Sequence, residues 1–313
     1  MCKFVSSSKT SEYTIMKKCA AILRSMRFRT LPLSLAGVVL GLLLAASQCE
    51  VSWSLAVTLL LTTVGLQILS NLSNELGDYL RGTDSGDRQG PAYSLQEGAL
   101  SEKDMRWTIG VMVVFCCLMG CAMTWCSFGT LFSLPALLLL LLGACAIWAA
   151  VNYTLGKHPY GYRGLGDIFV FLFFGLVSVA GAYFVTAHSL PWQVLLPAAA
   201  IGCFSVGVLN VNNIRDMKSD VGTRVTVPLK IGERNARIYQ TCLIVAGWLL
   251  LVCFVAMKSF AWYNWLFMLT LPLYIVHLRG VWRLSGKPLD AMLPLLVMST
   301  FVLSLLMGVG FVM

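Results

Sequence analysis

The chain of 313 residues has little charge and little histidine. Charged side chains make up 12% of it, and there are three histidines, whereas an ordinary soluble domain is about a quarter charged. Apolar residues account for 58% of the sequence. These proportions exclude a disordered chain, a collagen-like repeat, a small disulfide scaffold and a purely water-exposed enzyme.

Sequence patterns for metal binding and disulfides are also missing. The eleven cysteines include no C-x-x-C pair and no cluster with histidine at the spacing of a metal site. Most cysteines lie in apolar segments, where a thiol behaves as a small hydrophobic side chain. We therefore expect no zinc, iron–sulfur or disulfide function.

Long apolar runs dominate the sequence instead. Runs of about 20 apolar residues can cross a bilayer as helices, because a helix satisfies its own backbone hydrogen bonds in lipid. The alternating ten-residue segments of a membrane β-barrel are not visible. The sequence predicts an all-α, polytopic membrane protein of nine transmembrane helices, near residues 31–49, 53–77, 107–127, 130–153, 167–187, 192–213, 239–257, 261–278 and 290–312.

Lysine and arginine are divided unequally between the two sides of these spans. The N-terminal segment and the loops after spans 2, 4, 6 and 8 hold 22 of the 23, and the other loops hold only Lys258. Because cationic loops stay in the cytoplasm, we expect a cytoplasmic N-terminus and an outer C-terminus in the cell (inner) membrane. We expect residues 1–23 to be a basic cytoplasmic tail without a cleaved signal peptide, and residues 24–313 to form the transmembrane domain.

The net charge of +9 follows from these cytoplasmic loops. A nucleic-acid-binding protein would present a basic face interleaved with stacking aromatics, and the sequence has none. The lipid bilayer is therefore the expected surrounding, with no nucleic acid and no protein partner.

Acidic residues concentrate in the loops after spans 2 and 6. At the end of span 2, Asn71, Asn74 and Asp78 follow i, i+3, i+7 spacing and share one face of a helix. Glycines are then expected to break the helix and leave further carboxylates on a loop, at Gly82, Gly86, Asp84 and Asp87.

A second stripe closes span 6, where Asn212, Asp216 and Asp220 follow i, i+4, i+8 spacing. Carboxylates at the ends of membrane helices are costly and repel one another, and a divalent cation relieves both effects. Amide and carboxylate oxygens without histidine or thiolate indicate Mg²⁺, which binds jointly with phosphate oxygens. Solvated loop acids and helix caps are the alternative for either cluster alone. Basic side chains nearby fit the same phosphate or diphosphate, at Arg81, Arg88, Arg215, Lys218 and Arg224.

A membrane site for Mg²⁺ and diphosphate favours one class of chemistry. Neutralising a diphosphate leaving group allows an allylic carbon–oxygen bond to ionise. A helical bundle keeps the resulting carbocation from water, and an electron-rich aromatic ring can capture it. The clusters therefore favour prenyl transfer to an aromatic acceptor.

Motifs spread over residues 24–312 resemble the UbiA superfamily of intramembrane prenyltransferases, and within it the branch of the menaquinone pathway that prenylates 1,4-dihydroxy-2-naphthoate. The resemblance rests on Arg29-Thr-Leu-Pro32, Asn71 to Asp78, Asp84 to Pro91, Gln96-Glu-Gly98, Tyr162 to Asp167, Asn212 to Asp220 and Ile231 to Arg237. The resemblance implies a nine-helix fold and a reaction in which a polyprenyl diphosphate alkylates 1,4-dihydroxy-2-naphthoate with loss of CO2 and diphosphate.

The resemblance also implies a set of site residues. Mg²⁺-diphosphate would be held by Asn74, Asp78, Asp84, Asp216 and Asp220, with Asp78 and Asp216 as the catalytic pair. The chain has Glu75 where the superfamily has Asp, and Gly82 where it has a third Asp, so Asp84 takes that place. On charge rather than on the resemblance, Arg81, Arg215 and Lys218 are expected to contact the phosphate, and further contacts to the substrates are expected from Asn212, Arg163 and Asp167.

Some residues keep two interpretations. Asp167 opens span 5, where it either caps the helix or contacts the aromatic substrate or Arg163. Aromatic residues near span ends form an interfacial belt by default, although a carbocation could use one of their faces. We assign no histidine as a base, since loss of CO2 from the attacked carbon needs no strong base.

Two other functions remain as alternatives. One is a related prenyltransferase that acts on 4-hydroxybenzoate or haem. The other is a cation-coupled transporter, in which the acids would lie near the middle of the membrane at broken helices. The acids of this chain gather at the ends of spans, which favours the enzymes.

Overall fold

The computed structural model describes residues 16–82, 94–258 and 261–313, and it confirms the all-α fold there. These residues contain nine helices long and apolar enough to cross a membrane. Each predicted apolar stretch falls on one of them in order, so the chain is an integral membrane protein. The helices are α1 (Met16–Ala46), α2 (Trp53–Leu80), α3 (Glu102–Phe128), α4 (Leu134–Asn152), α5 (Gly166–Ala187), α6 (Trp192–Asp220), α7 (Glu233–Lys258), α8 (Trp262–Arg283) and α9 (Lys287–Val312).

The first helix begins before its apolar stretch and is broken within its length. Arg27 has a left-handed backbone with φ 51°, and a 3-10 turn follows it at Phe28–Thr30. The break frees the Met26 carbonyl, which accepts a hydrogen bond of 2.8 Å from Asn71 Nδ2. An asparagine on α2 thus satisfies the backbone group that the break exposes.

Part of the predicted N-terminal tail is also helical. Residues 16–25 form the first turns of α1, and the Ala21 carbonyl accepts a hydrogen bond from Ser94 Oγ. Exposed ion pairs join Lys18 to Asp104 and Arg24 to Glu97. The division of the chain at residue 23 stays a prediction.

The two helices with acidic ends extend beyond their apolar stretches. α2 continues past residue 77 to Leu80, and α6 continues past residue 213 to Asp220. Gly82 follows α2 with φ 64°, as expected for a residue that ends a helix. The predicted stripes therefore lie on helix. Gly86, Asp84 and Asp87 lie outside the described residues.

The helices differ in how deeply they are buried, and α6 and α4 are the extremes. In α6, 72% of the most apolar window is buried, against 11% in α4. The main core gathers around α6, with Phe204 packed on Tyr274, and a second core joins α2 to α3 through Leu72 and Met105. α6 is thus largely enclosed by the other helices, which fixes the position of its acidic end.

The middle of α5 is a π-helix over Phe171–Ala180. This form is rare overall, but where it occurs it is often at a functional site. Gly175 lies so close to α6 that a Cβ atom would come within 2.5 Å of the Gly202 Cα. The absence of a side chain at Gly175 therefore permits α5 and α6 to pack closely. Phe173 and Phe174 of the π-helical segment line the internal cavity described below.

Candidate functional site

The ends of α2 and α6 meet through one arginine. Arg224 Nη2 donates a hydrogen bond of 3.1 Å to Asp78 Oδ1, and Arg224 Nε lies 3.3 Å from Asp220 Oδ1 as an ion pair. The three side chains are largely buried, with 13%, 5% and 7% of Arg224, Asp78 and Asp220 exposed. The structure thus brings together carboxylates from both predicted stripes.

Tyr162 completes this group. Its hydroxyl donates a hydrogen bond of 2.6 Å to the same Asp78 Oδ1. Two guanidinium groups approach its ring, that of Arg224 at 5.0 Å from the ring centroid and that of Arg81 at 5.1 Å, within the range of cation–π attraction. We name Asp78, Tyr162, Asp220 and Arg224 the bridging cluster.

Loop contacts hold the bridging cluster in place. Val225 N donates to the Tyr162 carbonyl at 3.1 Å, so the loop after α6 pairs with the loop after α4. The latter lies on α2 through Thr154, whose hydroxyl donates to the Ser73 carbonyl at 2.9 Å. A Cβ atom at Gly77 would lie 2.5 Å from Thr154 Oγ1. Glycine at this position therefore permits the contact.

Asp216 belongs to a different group of charges. Its two carboxylate oxygens accept hydrogen bonds from Arg215 Nε and Nη2 at 2.8 and 2.6 Å. Arg215 also donates to Asn212 Oδ1 at 2.8 Å and pairs with Asp290 at the start of α9. We name Asn212, Arg215, Asp216 and Asp290 the anchoring cluster, because it ties α6 to α9. The Arg215 guanidinium was predicted to contact phosphate. In the structure it binds three side chains instead, those of Asn212, Asp216 and Asp290.

The remaining predicted residues are dispersed around these clusters. Asn74 Oδ1 accepts from Thr154 Oγ1 at 3.3 Å, and Arg81 Nη2 donates to the Gly156 carbonyl at 2.8 Å. Lys218 and Arg163 are exposed. Asp84, a predicted metal ligand, lies outside the described residues.

The contact of Asp167 differs from those considered from the sequence. Its Oδ2 accepts a hydrogen bond of 3.0 Å from the hydroxyl of Tyr239 on α7. Asp167 lies in the first turn of α5, where a carboxylate favours the helix dipole. The hydrogen bond joins α5 to α7, and the proposed contact with the aromatic substrate stays a prediction.

A cavity of about 300 Å³ opens beside the bridging cluster. One part of its lining, the polar wall, comes from α1 and α2, and another part, the aromatic wall, comes from the α4–α5 region. The polar wall includes Ser34, Gln67, Asn71 and Asn74, and the aromatic wall includes Tyr153, Tyr160, Phe169 and Phe173. Tyr160 and Phe169 stack with ring centroids 3.9 Å apart. Aromatic side chains with a few polar groups are the lining expected of a site for a flat aromatic ligand.

A second cavity of about 370 Å³ adjoins the first. The two share Leu66, Ala146, Val177 and Ser178 as lining residues. Apart from a few hydroxyl and thiol groups, the lining of the second is aliphatic. The pair of cavities thus passes from a polar, aromatic end to an apolar one.

Tyr153 connects the first cavity with the charges. It lines the cavity, and burial raises the pKa of its phenol to about 12, with smaller electrostatic contributions from Arg224, Asp78 and Asp220. The phenol is therefore neutral at any physiological pH. It offers a hydrogen-bond donor and a π face, and it does not offer a base.

The donors fit a hard divalent cation, although they are not gathered around a single point. Asn74, Asp78, Asp216 and Asp220 supply amide and carboxylate oxygens from two adjacent helix ends, which is the ligand type that Mg²⁺ prefers. Within the described ranges, no three Asp, Glu, His or Cys side chains group closely enough to hold a metal. The guanidinium of Arg224 stands between two of these carboxylates.

Three contacts of these clusters were not foreseen from the sequence. Tyr162 was noted only within a motif, Arg224 only as one of several cations, and Asp290 not at all. Their partners are far away in the chain, for example Arg224 and Asp78 at 146 residues. Periodicity within one helix carries no signal for such contacts.

Comparison with known proteins identifies relatives over most of the chain. A family model described as the UbiA prenyltransferase family matches residues 34–309. The 1,4-dihydroxy-2-naphthoate octaprenyltransferase of Escherichia coli is 39% identical over 86% of this chain and 87% of its own. The enzyme of that name from Haemophilus influenzae is 36% identical over 95% of this chain and 99% of its own.

Solved structures share the fold at lower identity. An apo UbiA homologue from Aeropyrum pernix superposes with a TM-score of 0.65 at 16% identity, over 92% of this chain and 97% of its own. A UbiA homologue from Archaeoglobus fulgidus, bound to GPP and Mg²⁺, gives a TM-score of 0.60 at 16% identity, over 90% of this chain and 98% of its own.

Proposed function

The chain belongs to the UbiA prenyltransferase family, and we propose that it transfers an all-trans polyprenyl group from polyprenyl diphosphate to 1,4-dihydroxy-2-naphthoate. The products are demethylmenaquinol, CO2 and diphosphate. The names of its relatives at 36–39% identity support this reaction. The observation that carries it is the meeting of Asp78 and Asp220 beside a cavity with an aromatic wall.

The diphosphate end of the donor lies at the bridging cluster. Asn74, Asp78, Asp216 and Asp220 would hold Mg²⁺, which is bound together with GPP in the Archaeoglobus fulgidus homologue. When bound, Mg²⁺ neutralises the diphosphate leaving group. Arg81 and Arg224, which both approach the Tyr162 ring, would add charge-assisted hydrogen bonds to the same anion. Asp84, Lys218 and Arg163 remain candidates for further contacts.

The chain's own residues shape the rest of the reaction. The aromatic wall excludes water and faces the allylic carbon, where π faces stabilise developing positive charge. The polar wall positions the hydroxyl groups of the naphthoate. The isoprenoid tail occupies the second, apolar cavity.

Bonding in this reaction balances without an external base. A bond forms between the allylic carbon and the carboxyl-bearing ring carbon as the carbon–oxygen bond to diphosphate breaks. The ring–carboxylate bond then breaks, its electron pair restores the aromatic ring, and CO2 leaves. The one buried histidine, His277, is hydrogen-bonded to Gln240 and to the Met292 carbonyl. The reaction does not need it as a base.

We further propose that the end of the bundle carrying these clusters faces the cytoplasm, with the C-terminus outside, in the cell (inner) membrane. The division of Lys and Arg between the loops supports this orientation. A reporter that is active on only one side of the membrane, fused after Met313, tests it. Activity of a cytoplasmic reporter at that position would overturn the orientation.

The reaction is tested with protein in lipid, Mg²⁺, a polyprenyl diphosphate and 1,4-dihydroxy-2-naphthoate labelled in its carboxyl group. We expect labelled CO2 and prenylated naphthoquinol in equal amounts. A parallel assay offers carboxyl-labelled 4-hydroxybenzoate as acceptor. Prenylation of that acceptor in preference to the naphthoate, with the label retained, would establish the related enzyme instead.

A further inference from the structure

Arg224 is held at a defined place between two helices. It follows α6 on a loop whose backbone bonds to the Asp220 carbonyl from both Thr223 N and Arg224 N. The next residue, Val225, bonds to the Tyr162 carbonyl. The loop is thus fastened at both sides, and its guanidinium reaches Asp78 of α2 and Asp220 of α6.

The charge of Arg224 is permanent. An arginine guanidinium is not deprotonated in proteins, and this one lies 3.1 Å from Asp78 Oδ1 and 3.3 Å from Asp220 Oδ1. Removing the guanidinium would leave two buried carboxylates near each other with less compensation, and each would disfavour the charge of the other.

The atoms that Arg224 contacts are those that a hard cation needs. Asp78 Oδ1 accepts hydrogen bonds from both Tyr162 and Arg224, and a divalent ion placed on this oxygen would stand beside a guanidinium. Two cations on one carboxylate oxygen repel each other at short range. Binding of Mg²⁺ at Asp78 and Asp220 therefore competes with Arg224.

We propose that Arg224 is the internal counter-ion of Asp78 and Asp220, and that it leaves at least one of the two carboxylates when Mg²⁺ binds and turns its donors to the diphosphate. The inference rests on the proposed function, because it concerns the same site. Arg224 then has two effects of opposite sign: it weakens the binding of free Mg²⁺ and strengthens the binding of diphosphate.

If Arg224 only held the two helices together, its removal would not tighten the binding of Mg²⁺ while weakening that of diphosphate. We therefore compare the wild type with Arg224→Gln in thermal unfolding against free Mg²⁺, without diphosphate. The variant should unfold at a lower temperature without metal. Its Mg²⁺ concentration for half-maximal stabilisation should fall about five- to tenfold, equivalent to roughly 1–1.4 kcal/mol. In turnover, its KM for polyprenyl diphosphate should rise.

Arg81→Gln is the matched control. Arg81 contacts the same Tyr162 ring at nearly the same distance as Arg224, but its hydrogen bond goes to the Gly156 carbonyl and not to a carboxylate. Its Mg²⁺ concentration for half-maximal stabilisation should remain that of the wild type. Arg224→Lys keeps the charge without the planar fork. Its Mg²⁺ concentration for half-maximal stabilisation should lie between those of the wild type and Arg224→Gln. The lysine variant also replaces Arg224→Gln in the comparison if the glutamine variant fails to fold.

Each result decides the matter. An unchanged or raised Mg²⁺ requirement in Arg224→Gln, or in Arg224→Lys if only that variant folds, would overturn the inference. If that result is found while the wild type forms prenylated naphthoquinol, the proposed function stands and only the inference about Arg224 is wrong. A wild type that neither responds to Mg²⁺ nor forms product would instead overturn the proposed function.

Discussion

The bridging cluster and the anchoring cluster use the same residue types in different surroundings. In the bridging cluster the arginine comes from a loop and joins carboxylates of two different helices. In the anchoring cluster the arginine is on α6 itself and holds the adjacent Asp216 with two hydrogen bonds. In our proposal the first arrangement exchanges Arg224 for Mg²⁺, whereas the second balances its charge locally and ties α6 to α9.

The two clusters also have different neighbours. Asp78 and Asp220 interact electrostatically with Tyr153, which lines the cavity, while Asp290 lies in the first turns of α9. Asp216 is the residue that connects the two regions, since it shares a helix with Asp220 and a partner with Asp290. Substitutions that separate activity from stability can therefore test the distinction.

Asp78→Asn should have the largest effect on turnover. The amide keeps the shape of the side chain but removes the charge that faces Arg224 and the metal, so we expect a loss of roughly 10²–10³-fold or more in kcat. Labelled CO2 release measures it, and membrane insertion should be intact. Glu102→Gln removes an exposed carboxylate paired within α3 and should retain full activity. Near-normal turnover in Asp78→Asn would contradict the proposed site.

Asp216→Asn and Asp290→Asn should separate the two roles of the anchoring cluster. Both remove a carboxylate from Arg215, so both should lower the free energy of unfolding, by about 1–3 kcal/mol. Only Asp216→Asn should also abolish turnover, because only Asp216 is a proposed metal ligand. Equal losses of activity in the two variants, measured at a temperature where both are folded, would assign Asp216 to the anchor alone.

Tyr162→Phe should have a moderate effect. The variant loses the hydroxyl that donates to Asp78 but keeps the ring that faces two guanidinium groups. A hydrogen bond to a charged group contributes about 1.5–3 kcal/mol, and Arg224 partly replaces it, so we expect roughly a tenfold loss in kcat/KM. Tyr162→Leu, which removes the ring as well, should lose more. Equal activity of the two variants would show that the ring contributes nothing.

Thr154→Val should have the smallest effect. The change is nearly isosteric and removes the hydrogen bond to the Ser73 carbonyl and the longer one to Asn74. Since Asn74 keeps its place on α2, we expect a loss of about 0.5–1.5 kcal/mol in stability and little change in kcat. A large rise in the Mg²⁺ requirement would show that Thr154 orients Asn74 for the metal.

The transmembrane architecture could be predicted because each span carries its own signal. Hydrophobic length alone places α2 and α6, and helical spacing puts Asp78 and Asp220 at their ends. The same local signals miss how far helices extend: within the described residues α1 is helical from Met16 onward, well before its predicted stretch, and Ala21 of this part packs with the loop residues Leu95 and Leu100.

The contacts between elements could not be predicted in the same way. Nothing in the sequence near Arg224 indicates that it reaches Asp78, and nothing near Asp290 indicates Arg215. Both contacts depend on packing that brings distant helices together. The resemblance to a known family supplied the identity of the reaction, while the division into two charge clusters came only from the structure.

Binding of an unreactive thiolo analogue of a polyprenyl diphosphate, with and without Mg²⁺, tests whether the ends of α2 and α6 act on one diphosphate. The measurement compares the wild type with Asp78→Asn, Asp220→Asn and the double variant. If one shared site is correct, each single variant loses nearly all of the Mg²⁺-dependent affinity, and the double variant loses no more. If the two losses multiply in the double variant, the carboxylates bind independently, and a shared site is contradicted.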